Sequence, residues 1–302
     1  MLAIIGTVPE DDFPVLTGQV VLKGEVIIIQ GRSVRVNRGT AALLAAAIKA
    51  GEVIGLESPT GFLAGDVGLG QGSRQIYRHL AERLNRSSFQ VLAFHYLQPD
   101  VDWHNKVLFA IEEMKRRPAL IADAGFMYAA KMSGLAEAYD LFTPDVGELA
   151  FLADEEAPHP FYTRGFILEE ENLVPDLIAR AYEHGNAAKA MLVKGRRDYL
   201  ASAGRVQAEV DSPVCENLEA IGGTGDTLTG IASALVAGGM ETSRAALLAA
   251  RANRLAGFYA DPTPASQVID LIHHIPRALE ELISKETGLE QTAPVQGLSP
   301  QA

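Results

Sequence analysis

The alternation of short β-branched segments with longer segments of helical periodicity is the feature that most constrains the fold of this chain. Strands or hairpins are predicted at residues 20–31, 61–69, 90–97, 119–125, 188–195 and 198–210, helices at 38–51, 73–84, 102–117, 173–185, 242–260 and 265–283, and a short strand followed by a helix within 139–154. This order predicts an α/β fold with a doubly wound, mainly parallel sheet that is covered by helices on both faces. Ligands of such sheets bind at the carboxyl ends of the strands.

The composition of the chain changes only near its C-terminal end. Residues 286–302 are rich in Thr, Pro, Gln, Gly and Ser, which predicts a flexible tail. No linker of similar composition divides the part before them, so residues 1–285 are predicted to form one domain.

The charge and cysteine content exclude several classes of function. The net charge of −12, from 26 basic and 38 acidic side chains, argues against binding to nucleic acids or anionic membranes. Cys215 is the only cysteine, so neither an intrachain disulfide nor a thiolate metal cluster is expected. The opening MLAIIGTVPEDDF lacks the features of a signal peptide, and no apolar stretch approaches the roughly 20 residues that cross a bilayer. We therefore expect a cytoplasmic protein that acts on a small molecule, and the sequence leaves open whether it forms a homo-oligomer.

The segment GGTGD, residues 222–226, places one carboxylate among glycines at the start of a predicted helix. Glycines let the backbone approach a phosphate closely, and the amides of a helix N-terminus attract an anion. The alternative is purely structural, with Asp226 as the N-cap of the helix. The spacing fits neither G-x-G-x-x-G nor G-x-x-x-x-G-K-[ST], so neither a Rossmann dinucleotide loop nor a P-loop is predicted.

Several other polar residues follow predicted strands, and each also has an ordinary structural explanation. Asp123 suits a turn, Glu148 suits the first turn of a helix, and a strand-end lysine such as Lys194 is commonly solvated. Asp145 is expected to cap the helix that contains Glu148. The glycine-rich segment GDVGLGQGSR, residues 65–74, is a second candidate for anion binding. His95, His104, His273 and His274 lack metal-ligand spacing such as H-E-x-x-H and are predicted to be core or surface histidines.

The segment GGTGDTLTGIASALVAGG, residues 222–239, resembles the signature of the ribokinase-like superfamily, in which G-x-G-D opens a helix. Within that superfamily the chain is most similar to the ATP- or ADP-dependent NAD(P)H-hydrate dehydratases. The supporting segments are IADAG (121–125), LFTPDVGELAFL (141–152), MLVKGRRDYLASAGRV (191–206) and ASQVIDLIHHIPRALEEL (265–282), which resemble, in order, the family's Asp-Ala-Asp strand end, Thr-Pro-x-x-x-Glu segment, Lys-Gly hairpin and last helix. This resemblance implies a three-layer α/β/α architecture.

The same resemblance implies a chemistry. Asp226 is expected to take a proton from the hydroxyl that receives the γ-phosphoryl group, with ATP or ADP and Mg²⁺ as cofactors. The other implied contacts are Gly223, Thr224, Gly225, Lys194 and Gly195 to the nucleotide, Glu148 to the metal, and Asp123, Asn37 and Gly39 to the acceptor.

The chain departs from the family pattern on the acceptor side. HYLQPDVDWH, residues 95–104, stands where the family has Gly-Pro-Gly-Leu-Gly. Three hypotheses therefore remain open: dehydration of NAD(P)H hydrate, phosphorylation of a sugar or vitamin-like alcohol, and nucleotide-binding regulation without turnover.

Overall fold

The computed structural model describes residues 1–160 and 173–292. The strands are β1 (Leu2–Val8), β2 (Leu16–Lys23), β3 (Val26–Ile29), β4 (Arg32–Arg35), β5 (Thr60–Gly65), β6 (Val91–His95), β7 (Ala119–Ala122), β8 (Leu141–Phe142), β9 (Ala190–Val193), β10 (Asp198–Ser202) and β11 (Arg205–Val210). The α-helices are α1 (Gly39–Ile54), α2 (Gln71–Arg83), α3 (Val101–Glu112), α4 (Gly125–Met132), α5 (Val146–Ala153), α6 (Val174–Glu183), α7 (Thr224–Ala237), α8 (Thr242–Ala260), α9 (Val268–Ile272) and α10 (Ile275–Thr292).

The described strands form a single sheet in the order β11-β10-β9-β8-β7-β6-β1-β5-β2-β3-β4. The central strands β5, β1, β6, β7, β8 and β9 are parallel, whereas β2–β4 at one edge and β10–β11 at the other are antiparallel. The prediction of a mainly parallel sheet is confirmed. Because the central strands run in one direction, the loops after β6, β7, β8 and β9 all meet at one edge of the sheet.

Two hydrophobic cores lie on opposite faces of the sheet. Successive residues of a strand point to opposite faces, so Ile4 of β1 belongs to the core that includes residues of α1, α7, α8, α9 and α10, while Ile5 belongs to the core that includes residues of α2 to α6. All seven residues of β1 are buried. The predicted three-layer arrangement is therefore confirmed, with β1 near its centre.

The structure differs from the predicted elements in several places. The sequence assigned no strand to residues 2–8, which are apolar on both faces and show no alternation that would identify a strand. The segment 265–283, predicted as a helix interrupted by Pro276, is divided into α9 and α10, but the break comes before Pro276, which lies in the first turn of α10, where its missing N–H costs nothing.

The C-terminal boundary also differs from the predicted one. Helix α10 continues to Thr292, so residues 286–292 are helical, whereas the sequence analysis placed the start of a flexible tail at residue 286. Residues 293–302 lie outside the described residues. Within residues 1–160 and 173–292, none of the helices combines the length and apolarity that crossing a bilayer requires.

Candidate functional site

A cleft of about 710 Å³ opens at the edge where the parallel strands end. It is lined by the segments that follow β6, β7, β8 and β9, by the start of α7, and by one face of α8. Pockets of this volume hold small-molecule ligands. The cleft therefore lies where ligands of open parallel sheets bind.

Asp226 lies in the first turn of α7 and faces this cleft, with 8% of its surface exposed. The N-cap position is taken by Gly223, whose φ of 99° favours a residue without a side chain. Instead of capping α7, the carboxylate accepts hydrogen bonds from the Gly39 amide at 2.6 Å and from His95 Nε2 at 2.9 Å. These contacts exclude the interpretation of Asp226 as a helix cap.

The surroundings of Asp226 keep its carboxyl group ionised. Burial by itself would raise the pKa of Asp226, but the His95 hydrogen bond, the charges of His95 and Lys194, and the Gly39 amide lower this pKa to about 2. The amides of the first turn of α7 have no carbonyl partner within that helix. An ionised carboxylate and free amide donors therefore face the same part of the cleft.

Lys194 and Asp123 form an ion pair across the cleft floor. The Lys194 ammonium donates to both oxygens of Asp123, at 2.8 and 2.9 Å, and Asp123 also accepts from Thr229 Oγ1 at 2.6 Å. The Lys194 ammonium lies 3.5 Å from where a Cβ on Gly225 would be. Burial by itself would lower the pKa of Lys194, but the neighbouring carboxylates raise it above its ordinary value. A charged ammonium therefore lies beside the glycine turn at the start of α7.

Glu148 and Asp145 lie together at the start of α5. Asp145 is the N-cap, as the sequence predicted, and it forms a capping box with Glu148, in which each side chain accepts a hydrogen bond from the backbone amide of the other. Burial is the largest effect on the pKa of Glu148; the charge of Lys194 lowers this pKa, but burial together with the charges of Asp123 and Asp145 raises it to about 8. This end of the cleft carries a surplus of carboxylates over ammonium groups.

Helix α8 holds the cleft walls in place through two polar side chains that sequence reasoning missed. Asn253 accepts from Thr227 Oγ1 at 2.6 Å and donates to the Thr224 carbonyl at 2.9 Å, which anchors the start of α7. Arg254 pairs with Asp198 at 2.7 Å and donates to the carbonyl groups of Gly195 and Arg196. The only available signal was a pair of adjacent polar residues in an alanine-rich helix.

Two predictions about binding do not agree with the structure: Asn37 lies outside the cleft, and the glycine loop at 65–74 already holds a carboxylate of the protein. Asn37 is exposed and is not among the described residues that line the cleft, although its neighbour Arg38 is. The glycine loop at 65–74 was predicted to bind an anion, but Asp66 fills it: this carboxylate accepts from the amides of Gly68, Gly70 and Ser73. The chain's own carboxylate therefore takes the place of the predicted anion.

His95 makes a contact that the sequence did not indicate. It was predicted to be an ordinary core or surface histidine, and it is fully buried, yet its ring contacts the Asp226 carboxylate. Nitrogen and oxygen atoms of His95, Asp123 and Asp226 lie within 4.8 Å of one another, a spacing that suits a metal ion. His95 and Asp226 already form a hydrogen bond with each other, and Asp123 forms an ion pair with Lys194, so we assign no metal to these atoms. His104, in contrast, is a core residue that contacts Tyr139 and Ser133.

Comparison with known proteins places the chain in a family. The family model described as NAD(P)H-hydrate dehydratase, of the carbohydrate-kinase type, matches residues 98–277. The chain belongs to this family. Within this dehydratase-family protein, the match includes Asp123, Glu148, Lys194 and Asp226 but begins after His95.

Individual relatives agree with this placement. An uncharacterized protein of Methanocaldococcus jannaschii is 41% identical over 220 residues, which cover 72% of this chain and 90% of that protein. A bifunctional NAD(P)H-hydrate repair enzyme of Hyperthermus butylicus is 36% identical over 114 residues, covering 36% of this chain and 21% of that enzyme. The family member described here therefore matches only about a fifth of that repair enzyme's length.

Solved structures show the same fold. The ADP/ATP-dependent NAD(P)H-hydrate dehydratase of Bacillus subtilis, co-crystallized with ATP and Mg²⁺, gives a TM-score of 0.56 at 14% identity and covers 93% of this chain and 89% of its own. A ribokinase-like superfamily protein of Enterococcus faecalis gives a TM-score of 0.55 at 14% identity, over 93% and 86% of the two chains. The fold is therefore ribokinase-like.

Proposed function

We propose that this protein transfers the terminal phosphoryl group of ATP or ADP to the hydroxyl group of a small molecule. The position of Asp226 carries the proposal: an ionised carboxylate faces the cleft beside the first-turn amides of α7 and the Lys194 ammonium. The hydroxyl proton passes to Asp226 while the acceptor oxygen bonds to phosphorus and the bond from phosphorus to the departing nucleotide breaks. Fixed amides and an ammonium stabilise the charge that develops on the transferred group.

The remaining residues divide between the nucleotide and its metal. Gly223, Thr224, Gly225, Lys194 and Gly195 all line the cleft, so we assign them to the nucleotide phosphates. The surplus of carboxylates around Glu148 suits a divalent cation, and we assign Glu148 to Mg²⁺ on that ground. When bound, Mg²⁺ neutralises charge on phosphate oxygens.

Membership of the dehydratase family supports hydrated NAD(P)H as the acceptor. Transfer of a phosphoryl group to its hydroxyl converts a poor leaving group into phosphate. Departure of that phosphate, with loss of a proton from the neighbouring carbon, restores the nicotinamide double bond. Asp123 and Gly39 lie beside Asp226, and we assign them to the acceptor side of the cleft.

A second candidate is a kinase that acts on a sugar or vitamin-like alcohol. The observation that favours it is the acceptor side itself, because the family match begins at residue 98 and the segment before it contributes His95 and Tyr96 around Asp226. Both reactions use the same carboxylate, so they differ in acceptor and not in phosphoryl chemistry.

Incubation with hydrated NADH, Mg²⁺ and either ATP or ADP tests the proposal through recovery of nicotinamide absorbance. Asp226→Asn keeps the shape of the side chain but removes the base, and we expect kcat to fall by about 10²- to 10⁴-fold while nucleotide affinity changes little. Phosphorylation of a small alcohol without recovery of absorbance would select the kinase. Nucleotide binding without either reaction, and unchanged biological effect of the variant, would indicate a regulator.

A further inference from the structure

The His95 imidazole lies directly beneath the Asp226 carboxylate. His95 ends β6 and is fully buried, and its Nε2 lies 2.9 Å from Asp226 Oδ1. On the other side of the ring, Nδ1 lies 2.9 Å from Thr40 Oγ1 in the first turn of α1. His95 is not among the described residues that line the cleft, so any effect on a substrate must pass through Asp226.

The hydrogen atoms in the hydrogen bonds that join Asp226, His95 and Thr40 can be assigned from chemistry. An ionised carboxylate only accepts hydrogen bonds, so His95 Nε2 must carry the hydrogen that bonds to Asp226. When the ring is neutral, Nδ1 accepts from the Thr40 hydroxyl, and when the ring is charged, Nδ1 donates to the same hydroxyl oxygen, which can act in either role. Asp226 therefore fixes Nε2 as a protonated nitrogen, and Thr40 holds the other side of the ring at Nδ1.

The close packing of β1 against His95 and Thr40 depends on a glycine. Gly6 pairs with His95 across the sheet, and a Cβ on Gly6 would lie 2.5 Å from Thr40 Oγ1 and 2.4 Å from the His95 carbonyl oxygen. The neighbour of Thr40 completes the arrangement, since the Gly39 amide donates to Asp226 Oδ2 at 2.6 Å. Both carboxylate oxygens are thus held by donors from elements far apart in the sequence.

We propose that His95, held by Thr40 at Nδ1 and bonded through Nε2–H to Asp226, is a positioning residue that orients the Asp226 carboxylate for phosphoryl transfer. The proposal rests on the proposed function of Asp226 as the base. A carboxylate bonded at both oxygens cannot rotate freely about its Cβ–Cγ bond, so its remaining lone pairs keep a fixed direction toward the cleft. Neither Thr40 nor His95 belongs to the residues that the family resemblance assigned to the reaction.

The acidity of Asp226 provides a readout that a purely structural role would not change. The groups that face it are His95 at the end of β6, Tyr96 after it, Arg38 before α1, Asp123 after β7 and Lys194 after β9. Removal of the imidazole donor leaves the others in place, and the buried carboxyl group then has a higher pKa. The acid limb of kcat/KM should move to higher pH as a result.

Substitutions at His95 separate positioning from packing. The amide nitrogen of His95→Gln can reach the place of Nε2, whereas that of His95→Asn is too short. We expect His95→Gln to retain activity within about 10-fold of the wild type and His95→Asn to lose about 100-fold in kcat, with nucleotide affinity unchanged and the acid limb raised. Equal losses in both variants, with an unshifted pH profile, would show that His95 contributes only to packing and does not position Asp226.

Substitutions at Thr40 test whether its hydroxyl holds the His95 ring in place. Thr40→Ser keeps the hydroxyl and should behave like the wild type, whereas Thr40→Val keeps the shape and should lose about 10-fold in kcat. Nitrogen-15 NMR of the wild-type imidazole should show hydrogen on Nε2 of His95, and the Nδ1 signal should change in Thr40→Val, which removes the hydroxyl beside it.

The NMR measurement needs no turnover, so it separates the two proposals. Failure to find any phosphoryl acceptor would remove the proposed function while the tautomer stays measurable. Absence of hydrogen from Nε2 of His95, or no difference between Thr40→Val and Thr40→Ser, would overturn the positioning role even in an active enzyme. The wild-type spectrum decides the matter if His95→Asn does not fold.

Discussion

Asp226 and Glu148 lie in one cleft, but their surroundings change their acidity in opposite directions. Asp226 accepts hydrogen bonds at both oxygens, and its pKa falls to about 2. Glu148 lies among other carboxylates, and burial with their repulsion raises its pKa to about 8. Two acids whose pKa values are moved apart by their environments are suited to different functions, which agrees with the proposed assignment of Asp226 as base and Glu148 as metal ligand.

Glu148→Gln should stabilise the protein increasingly as the pH rises. The folded protein binds the Glu148 proton more tightly than the unfolded chain does. Wild-type stability therefore falls as the pH rises from the ordinary pKa of 4.5 to the raised pKa of about 8, and it stays reduced above that pH. Glutamine still accepts the capping-box hydrogen bond. We expect the free energy of unfolding of the variant to exceed that of the wild type by about 1 kcal/mol near pH 9, a value reduced for solvent screening, and to match it near pH 4.

Urea denaturation at several pH values, in buffer with a metal chelator, measures this difference. Glu52→Gln is the matched control, because Glu52 is an exposed glutamate near the end of α1 that pairs with Lys49 on the surface. The effect of the control should not grow over this pH range. A Glu148→Gln variant whose stability difference stays constant with pH would contradict the raised pKa of Glu148.

At the scale of single elements, the sequence predicted the features whose structure depends on nearby residues. The hairpin of β10 and β11, the N-cap of α5 at Asp145 and the glycine turn before α7 depend on neighbours within a few residues, and the sequence indicated all of them. Strand β1 was missed because a short run buried on both faces has no periodicity. Glycine loops attract anions by the same local rule, but the rule cannot say that Asp66 supplies the anion.

Gly223→Ala should disturb the start of α7, whereas Gly222→Ala should not. Gly223 has a φ of 99°, and a Cβ there would lie 3.0 Å from the Arg38 Cα. Backbone strain at this position costs about 2 kcal/mol, and movement of Arg38 would shift the adjacent Gly39 amide away from Asp226. Gly222 has no atom within 4 Å of such a Cβ, so its substitution should change stability by less than about 0.5 kcal/mol.

Thermal denaturation and nucleotide affinity measure the two glycine variants side by side. We expect a lower melting temperature and weaker nucleotide binding for Gly223→Ala alone. Equal behaviour of the two variants would show that the left-handed turn is not required for the anion-binding geometry.

At the scale of the whole molecule, the site joins residues that no local pattern connects. His95 and Asp226 are 131 positions apart, and Arg254 and Asp198 are 56 apart. The motif around Asp226 was recognisable because its glycines and carboxylate are neighbours in the sequence and resemble the ribokinase-like signature. The contacts of His95, Asn253 and Arg254 depend on the order of strands in the sheet, so only the folded chain brings them together.

The sheet order also predicts which part of the molecule opens last. Strand β1 lies between β5 and β6 with every residue buried, whereas β4 pairs on one side only and exposes three of its four residues. Amides whose hydrogen bonds lie in the centre of the sheet exchange through global unfolding, and edge amides exchange through local opening. Native-state hydrogen exchange should therefore show β1 amides exchanging with the free energy of global unfolding and β4 amides well below it. Comparable protection of the two strands would mean that the antiparallel edge and the parallel centre unfold as one unit.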